Sequence, residues 1–154
     1  MLKAYPKPTY KRRESKRKVV AESNPLECIE QETVSAWLDL HKVFYNISIS
    51  GAYLHPATFN RLKRMGYKRG LPDILIFERP PAYGNQFVGV AIELKRKKGG
   101  IVSDEQKEWL EKLQKQGWFA IVCRGADEAI LILEQCGYGR ARPITEEEKQ
   151  AVVN

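Results

Sequence analysis

Two short apolar runs separated by a turn-rich segment constrain the fold of this chain more than any other feature. They occupy residues 74–77 and 87–94, and short apolar runs of this kind are typical of buried strands. The segment between them contains Pro80, Pro81, Gly84 and Asn85, which favour a loop. The pattern predicts an antiparallel hairpin with a long connecting loop.

A helix is predicted upstream of the hairpin. Asn24 is a good N-cap, Pro25 suits the first helical turn, and Glu27 stands where a capping-box carboxylate is expected. Apolar residues then recur at helical spacing until about His41, where we expect the helix to end.

The remaining elements complete an alternating pattern. Ser103 and Gln106 form a capping-box pair for a later helix, whose apolar face includes Trp109 and which Gly117 should end. Further strands are predicted over residues 43–50 and 119–123, and further helices over 56–65, 127–135 and, after Thr145, 146–152. The order α-β-(α)-β-β-α-β-α predicts a single α/β domain around a small mixed sheet.

Composition and charge narrow the class of protein. The chain has 154 residues, of which 43% are hydrophobic, and its formal net charge of +7 favours polyanionic partners, above all nucleic acid. No apolar run is long enough for a membrane span and no secretory signal is recognisable, so we expect a cytoplasmic protein. Three widely spaced cysteines, read as buried or half-buried, argue against a zinc site or a disulfide framework.

The first 24 residues differ from the rest. Two glutamates there, Glu14 and Glu22, accompany eight basic residues: Lys3, Lys7, Lys11, Arg12, Arg13, Lys16, Arg17 and Lys18. We interpret residues 1–24 as a flexible basic arm. The arm either contacts phosphates or is simply a solvated tail.

A carboxylate pair lies where the two predicted strands of the hairpin meet. Glu93 and Lys95 point to one face of their strand while Leu94 points to the opposite face and can pack in the core. Asp73 begins the preceding strand, so Asp73 and Glu93 should converge in an antiparallel hairpin.

Converging carboxylates are suited to a hard divalent cation such as Mg²⁺. Such a cation can polarise a phosphate and lower the pKa of a water molecule, while Lys95 orients that water or neutralises developing charge. These groups together suit phosphodiester hydrolysis. A simpler interpretation makes Asp73 a loop residue and Glu93–Lys95 a surface ion pair.

Four ordered motifs resemble a known family. They are GLPDILI at residues 70–76, AIELK at 91–95, GGIVSDEQ at 99–106, and Gly117 before a strand. The chain resembles the virus-type replication-repair nuclease (VRR-NUC) family of the PD-(D/E)xK superfamily, and is most similar to small stand-alone phage and bacterial members. The resemblance covers residues 25–137 and leaves residues 138–154 as a tail.

The resemblance implies an αβββαβ nuclease core and cleavage of DNA that depends on Mg²⁺ or Mn²⁺. It implies a catalytic set of Asp73, Glu93, Lys95 and Gln106, and a metal site comprising Glu27, Asp73, Glu93 and Leu94. Glu27 is preferred from the first helix because Glu27 and Gln31 reproduce an E-x-x-x-Q spacing, with Glu30 as its rival. Gln106 also retains its capping-box interpretation.

Small family members act on branched DNA, including four-way junctions, and are usually homodimers, which makes a structure-selective endonuclease the leading hypothesis. Basic residues near the site are expected to bind DNA phosphates, or else simply to form a solvated basic surface: Arg61, Lys63, Arg64, Lys68, Arg69, Arg96, Lys97 and Lys98. The alternatives are a nicking, restriction-like or end-processing nuclease, and a non-cleaving nucleic-acid-binding module.

Overall fold

The described part of the chain forms a four-stranded sheet flanked by helices. The structure is a computed structural model that describes residues 26–49 and 54–139. The elements in chain order are α1 (Glu27–Leu40), β1 (Tyr45–Ile47), α2 (Pro56–Arg64), β2 (Ile74–Ile76), β3 (Val90–Lys95), α3 (Asp104–Lys115), β4 (Phe119–Arg124) and α4 (Ala126–Gln135). This order confirms the predicted α/β class and the order of the elements.

The strands lie in the order β1-β2-β3-β4. The pairs β1–β2 and β2–β3 are antiparallel, whereas β3 and β4 are parallel, with α3 as the crossover between them. The predicted hairpin is therefore correct, and its long loop contains one short 3-10 helix (Pro81–Tyr83). The mixed sheet places the start of β2 beside the end of β3.

Two apolar layers hold the sheet between helices. Alternation along β3 sends Ile92 and Leu94 into the larger core, which α1 and α4 cover through residues such as Leu38 and Leu133. The opposite face carries Ala91, which packs with Leu110 of α3 and with residues of β4. Glu93 and Lys95 share this second face, so their side chains point toward the side of the sheet where α3 lies.

Several predictions about element boundaries and burial require correction. The N-cap of α1 is Leu26, without a side-chain capping bond, so the helix begins later than predicted and Glu27 is its first residue. Asn24 and Pro25 lie outside the described residues. The strand predicted over residues 43–50 is limited to Tyr45–Ile47. Cys28 is exposed because it lies on the outer face of α1, whereas Cys123 and Cys136 are buried as expected.

Two predicted segments, the basic arm of residues 1–24 and the helix of residues 146–152, lie outside the described residues. Within the described ranges, no helix is both long and apolar enough to cross a membrane.

Candidate active site

Asp73 and Glu93 lie side by side at one end of the sheet. Ile74 of β2 pairs with Ile92 of β3 in the antiparallel register. Asp73, which precedes Ile74, is therefore opposite Glu93, which follows Ile92. The negative charge of Asp73 is close enough to Glu93 to raise the pKa of the Glu93 carboxyl group. The convergence expected from the hairpin is thus present in the structure.

The main chain of Leu94 links these groups. Its amide donates to Asp73 Oδ2 over 2.7 Å, and its carbonyl accepts from Lys95 Nζ over 3.0 Å. The Leu94 side chain is buried in the larger core, so only the carbonyl oxygen of this residue is suited to a metal ion.

Lys95 is buried beside the carboxylates. Its Nζ lies 2.5 Å from Glu93 Oε1 and 3.9 Å from Glu27 Oε1. Only 5% of Lys95 is exposed to solvent. The pair therefore differs from the surface ion pair considered above, because both charges are withdrawn from water and depend on each other.

Gln106 performs two tasks with one side chain. Its Oε1 accepts a hydrogen bond of 2.9 Å from the main-chain amide of Ser103. Ser103 Oγ in turn accepts from the main-chain amide of Gln106, which completes the predicted capping box of α3. Its Nε2 donates to Glu93 Oε1. The capping box therefore orients the side-chain amide of Gln106 toward Glu93, so its capping role is compatible with a contact to the carboxylate site.

Burial and charge repulsion raise the pKa of both carboxyl groups. Burial, followed by the negative charge of Asp73, raises the pKa of Glu93 to about 7 despite its contact with Lys95. Burial also raises the pKa of Asp73, and the charge of Glu27 adds to this effect. Two adjacent carboxyl groups with raised pKa values are a common feature of functional sites.

The donor set fits a divalent cation. Glu93 Oε2 is buried and has no hydrogen-bond partner within the described part of the chain. A buried carboxylate oxygen without a partner is costly unless a proton or a cation satisfies it. In residues 26–49 and 54–139, no three His, Cys, Asp or Glu side chains lie close enough together to form a cluster of metal ligands. A cation here would therefore be held by Asp73, Glu93 and the Leu94 carbonyl before any third carboxylate.

Glu27 and Glu30 have different surroundings. Glu27 is half-buried and faces Lys95 across 3.9 Å. Glu30 is buried, and its Oε2 accepts from the Ala126 amide over 2.6 Å at the start of α4. A carboxylate at a helix N-terminus is favourable, which gives Glu30 a structural role that sequence reasoning missed.

The basic residues predicted to bind DNA flank the site along the chain. Lys68 and Arg69 precede Asp73 and are exposed, while Arg96, Lys97 and the exposed Lys98 follow Lys95. Lys97 Nζ lies 2.8 Å from Asp127 Oδ2.

Trp109 has a different environment from the one predicted for it. The sequence placed Trp109 on the apolar face of α3, yet its Nε1 donates to the Arg69 carbonyl over 2.7 Å, and the ring is only partly buried. One aromatic residue lies close to basic ones in each of α2, the turn after it and α3, and this combination is the signal that could have indicated a ligand groove.

The four-stranded mixed sheet, with a carboxylate pair and a lysine at one end, defines a nuclease of the PD-(D/E)xK type. A sequence model of the VRR-NUC domain matches residues 14–127, and the chain belongs to the VRR-NUC family. A solved structure described as a VRR_NUC domain protein is similar with a TM-score of 0.60 and 28% identity, over 74% of this chain and 89% of the other. No curated protein sequence matches the chain.

Proposed function

We propose that this protein is a divalent-metal-dependent endodeoxyribonuclease that hydrolyses phosphodiester bonds in branched DNA. The observation that carries the proposal is the contact of the partly buried Asp73 with the strand that carries the buried Glu93 and Lys95, in which Glu93 Oε2 has no partner among the described residues. A purely structural ion pair would not need a second carboxyl group beside it.

Each side chain has a role that follows from its contacts. Asp73, Glu93 and the Leu94 carbonyl would hold a Mg²⁺ or Mn²⁺ ion, with Glu27 of α1 as a further ligand. When bound, such a cation would polarise the scissile phosphate and lower the pKa of the attacking water. Lys95 orients the water and offsets negative charge on the phosphate. Gln106 positions Glu93 through its Nε2.

DNA binding is assigned to the basic residues around the site. Lys68, Arg69, Arg96, Lys97 and Lys98 contact phosphates, and residues 1–24 extend this contact to more distant phosphates. Affinity should then fall steeply with salt and depend little on base sequence. Deletion of residues 1–20 should weaken DNA binding and reduce its salt dependence. Unchanged affinity of the truncated protein at low salt would show that the arm does not contact DNA.

An exposed apolar surface supports a homodimer. Phe44 and Phe77 are 65% and 45% exposed, and their ring centroids lie 5.5 Å apart. Phe77 follows the end of β2 and the exposed Val88 precedes β3, so this surface is at the opposite end of the sheet from Asp73 and Lys95. Exposed aromatic surface of this kind often marks an interface. A two-fold pairing there leaves two active sites free for two strands of a branched substrate.

The decisive experiment compares DNA shapes and metals. The purified protein and Asp73→Ala are incubated with a labelled four-way junction, a matched duplex and single-stranded DNA, in Mg²⁺, Mn²⁺ or EDTA. We expect metal-dependent cuts in the junction that the variant lacks. Equal cutting of all three would remove structural selectivity and favour a nicking, restriction-like or end-processing enzyme. Tight binding without any cutting would favour a non-cleaving module.

A further inference from the structure

A groove beside the active site combines aromatic and basic side chains. It has a volume of about 540 Å³ and lies between α2 and α3. Phe59, Tyr67 and Trp109 contribute the aromatic surface, and all three are only partly buried. None of these rings takes part in the carboxylate site described above.

Two cations lie over one of these rings, that of Phe59. The Arg69 guanidinium carbon lies 4.3 Å from the centroid of the Phe59 ring, and Lys63 Nζ lies 5.7 Å from the same centroid. Tyr67 meets Phe59 edge to face at 6.0 Å. An aromatic ring with a planar guanidinium on it offers a flat surface on which a nucleobase can stack.

The charge of the groove favours a polyanion. Lys63, Lys68, Arg69 and Lys112 contribute four positive charges, against the two negative charges of Glu105 and Glu108. Glu108 Oε1 is already paired with Lys112 Nζ at 2.6 Å. The exposed lysines along the groove can therefore follow a phosphate backbone while the rings contact its bases.

Two chain segments join the groove to the active site. The first runs from Arg69 to Asp73, and the second from Glu105 to Trp109. The segments are in close contact, because a Cβ on Gly70 would lie 2.7 Å from the Glu105 carbonyl carbon. The Trp109 bond to the Arg69 carbonyl links them again. The groove therefore lies next to the two segments that carry Asp73 and Gln106.

We propose that this groove binds an unpaired nucleotide of the DNA substrate, with its base stacked on the aromatic surface and its phosphates on the lysines. This inference rests on the proposed nuclease function and adds the form of its substrate. Among branched DNAs, the protein binds best to those with an unpaired strand beside the branch. A fully paired duplex cannot present a base to Phe59 without being opened.

The test measures binding in EDTA, where no cleavage occurs. The full chain is titrated by fluorescence anisotropy with a duplex carrying a single-stranded arm and with the matched blunt duplex. We expect about tenfold tighter binding of the armed duplex, and an equivalent loss when one base near the branch is replaced by an abasic nucleotide. An abasic nucleotide at the far end of the arm serves as the control. Equal affinity for all these DNAs would overturn the proposal.

A pair of variants locates the effect in the groove. Phe59→Leu should lose about tenfold in affinity for the armed duplex and keep its affinity for blunt duplex, whereas Phe59→Tyr should behave as wild type. Unchanged binding by a folded Phe59→Leu protein would overturn the assignment. If that variant does not fold, the abasic series on the wild-type protein decides.

Failure of this inference is distinguishable from failure of the proposed function. A protein that cleaves DNA with Mg²⁺ but ignores abasic nucleotides is a nuclease without this subsite. If binding in EDTA weakens with an abasic nucleotide but the protein never cleaves DNA, the groove is still the binding site and the nuclease assignment is wrong.

Discussion

Asp73 Oδ2 accepts a hydrogen bond of 2.7 Å from the main-chain amide of Leu94. This bond ties the residue that precedes β2 to the strand that carries Glu93 and Lys95. It fixes one carboxylate against the backbone next to the other, in a buried setting that raises the pKa of both. The charge of Asp73 and its anchoring bond can be separated by experiment.

Asp73→Asn should abolish cleavage without unfolding the protein. The amide oxygen can still accept from Leu94, but the lost charge removes a cation ligand, so we expect a rate loss on the order of 100-fold or more. The melting temperature in EDTA should stay the same or rise, because repulsion with Glu93 is relieved. Substantial cleavage by this variant would contradict the site assignment.

Glu27→Gln and Glu30→Gln should change different properties of the protein. Glu27→Gln should increase the Mg²⁺ concentration needed for activity with little change in stability, since Glu27 is half-buried near Lys95. Glu30→Gln should leave the Mg²⁺ requirement unchanged but lower stability by about 1 kcal/mol, because a charge at the start of α4 is lost. Mg²⁺ titrations of activity and urea unfolding measure the two quantities. A reversed result would make Glu30 the ligand.

The two roles of Gln106 can be tested with Ser103 as the control. Ser103→Ala removes the capping bond, should cost about 1 kcal/mol of stability, and should largely preserve kcat. Gln106→Glu keeps an oxygen for the Ser103 amide but cannot donate to Glu93, so it should lower kcat by about tenfold or more. Equal loss of kcat in the two variants would reduce Gln106 to a capping residue.

The metal-free protein should lose stability as the pH rises. The Glu93 pKa is raised from an ordinary value of 4.5 to about 7 in the folded protein. A raised carboxyl pKa gives stability that is complete below about pH 4.5 and is lost as the pH passes through about 7, amounting to about 3 kcal/mol.

Unfolding free energies in EDTA between pH 5 and pH 8, for wild type and Glu93→Gln, check this expectation. The variant carries no titrating group at this position, so its stability should vary less with pH across this range. Parallel curves for the two proteins would show that Glu93 has no raised pKa.

Local patterns in the sequence were sufficient for much of the fold. The apolar runs and the turn residues between them predicted the hairpin, and the alternation of side chains predicted that Glu93 and Lys95 share a face. The Ser103–Gln106 capping box was also predictable, since its partners are three residues apart. The predicted start of α1 was wrong. Asn24 and Pro25 are favourable signals for a helix start, but the helix begins at Glu27.

Tertiary structure alone decided the remaining features. Glu27 and Glu30 are one helical turn apart, and only the packing of α1 against α4 directs Glu30 to the Ala126 amide and Glu27 toward Lys95. Phe59 and Trp109 are distant in sequence, and they line the same groove because α2 and α3 lie on either side of it. The sequence by itself determined which residues form strands, helices and caps, because those choices depend on neighbours a few positions away. Contacts between distant elements depend on how helices rotate and pack on the sheet, and no local pattern specifies that.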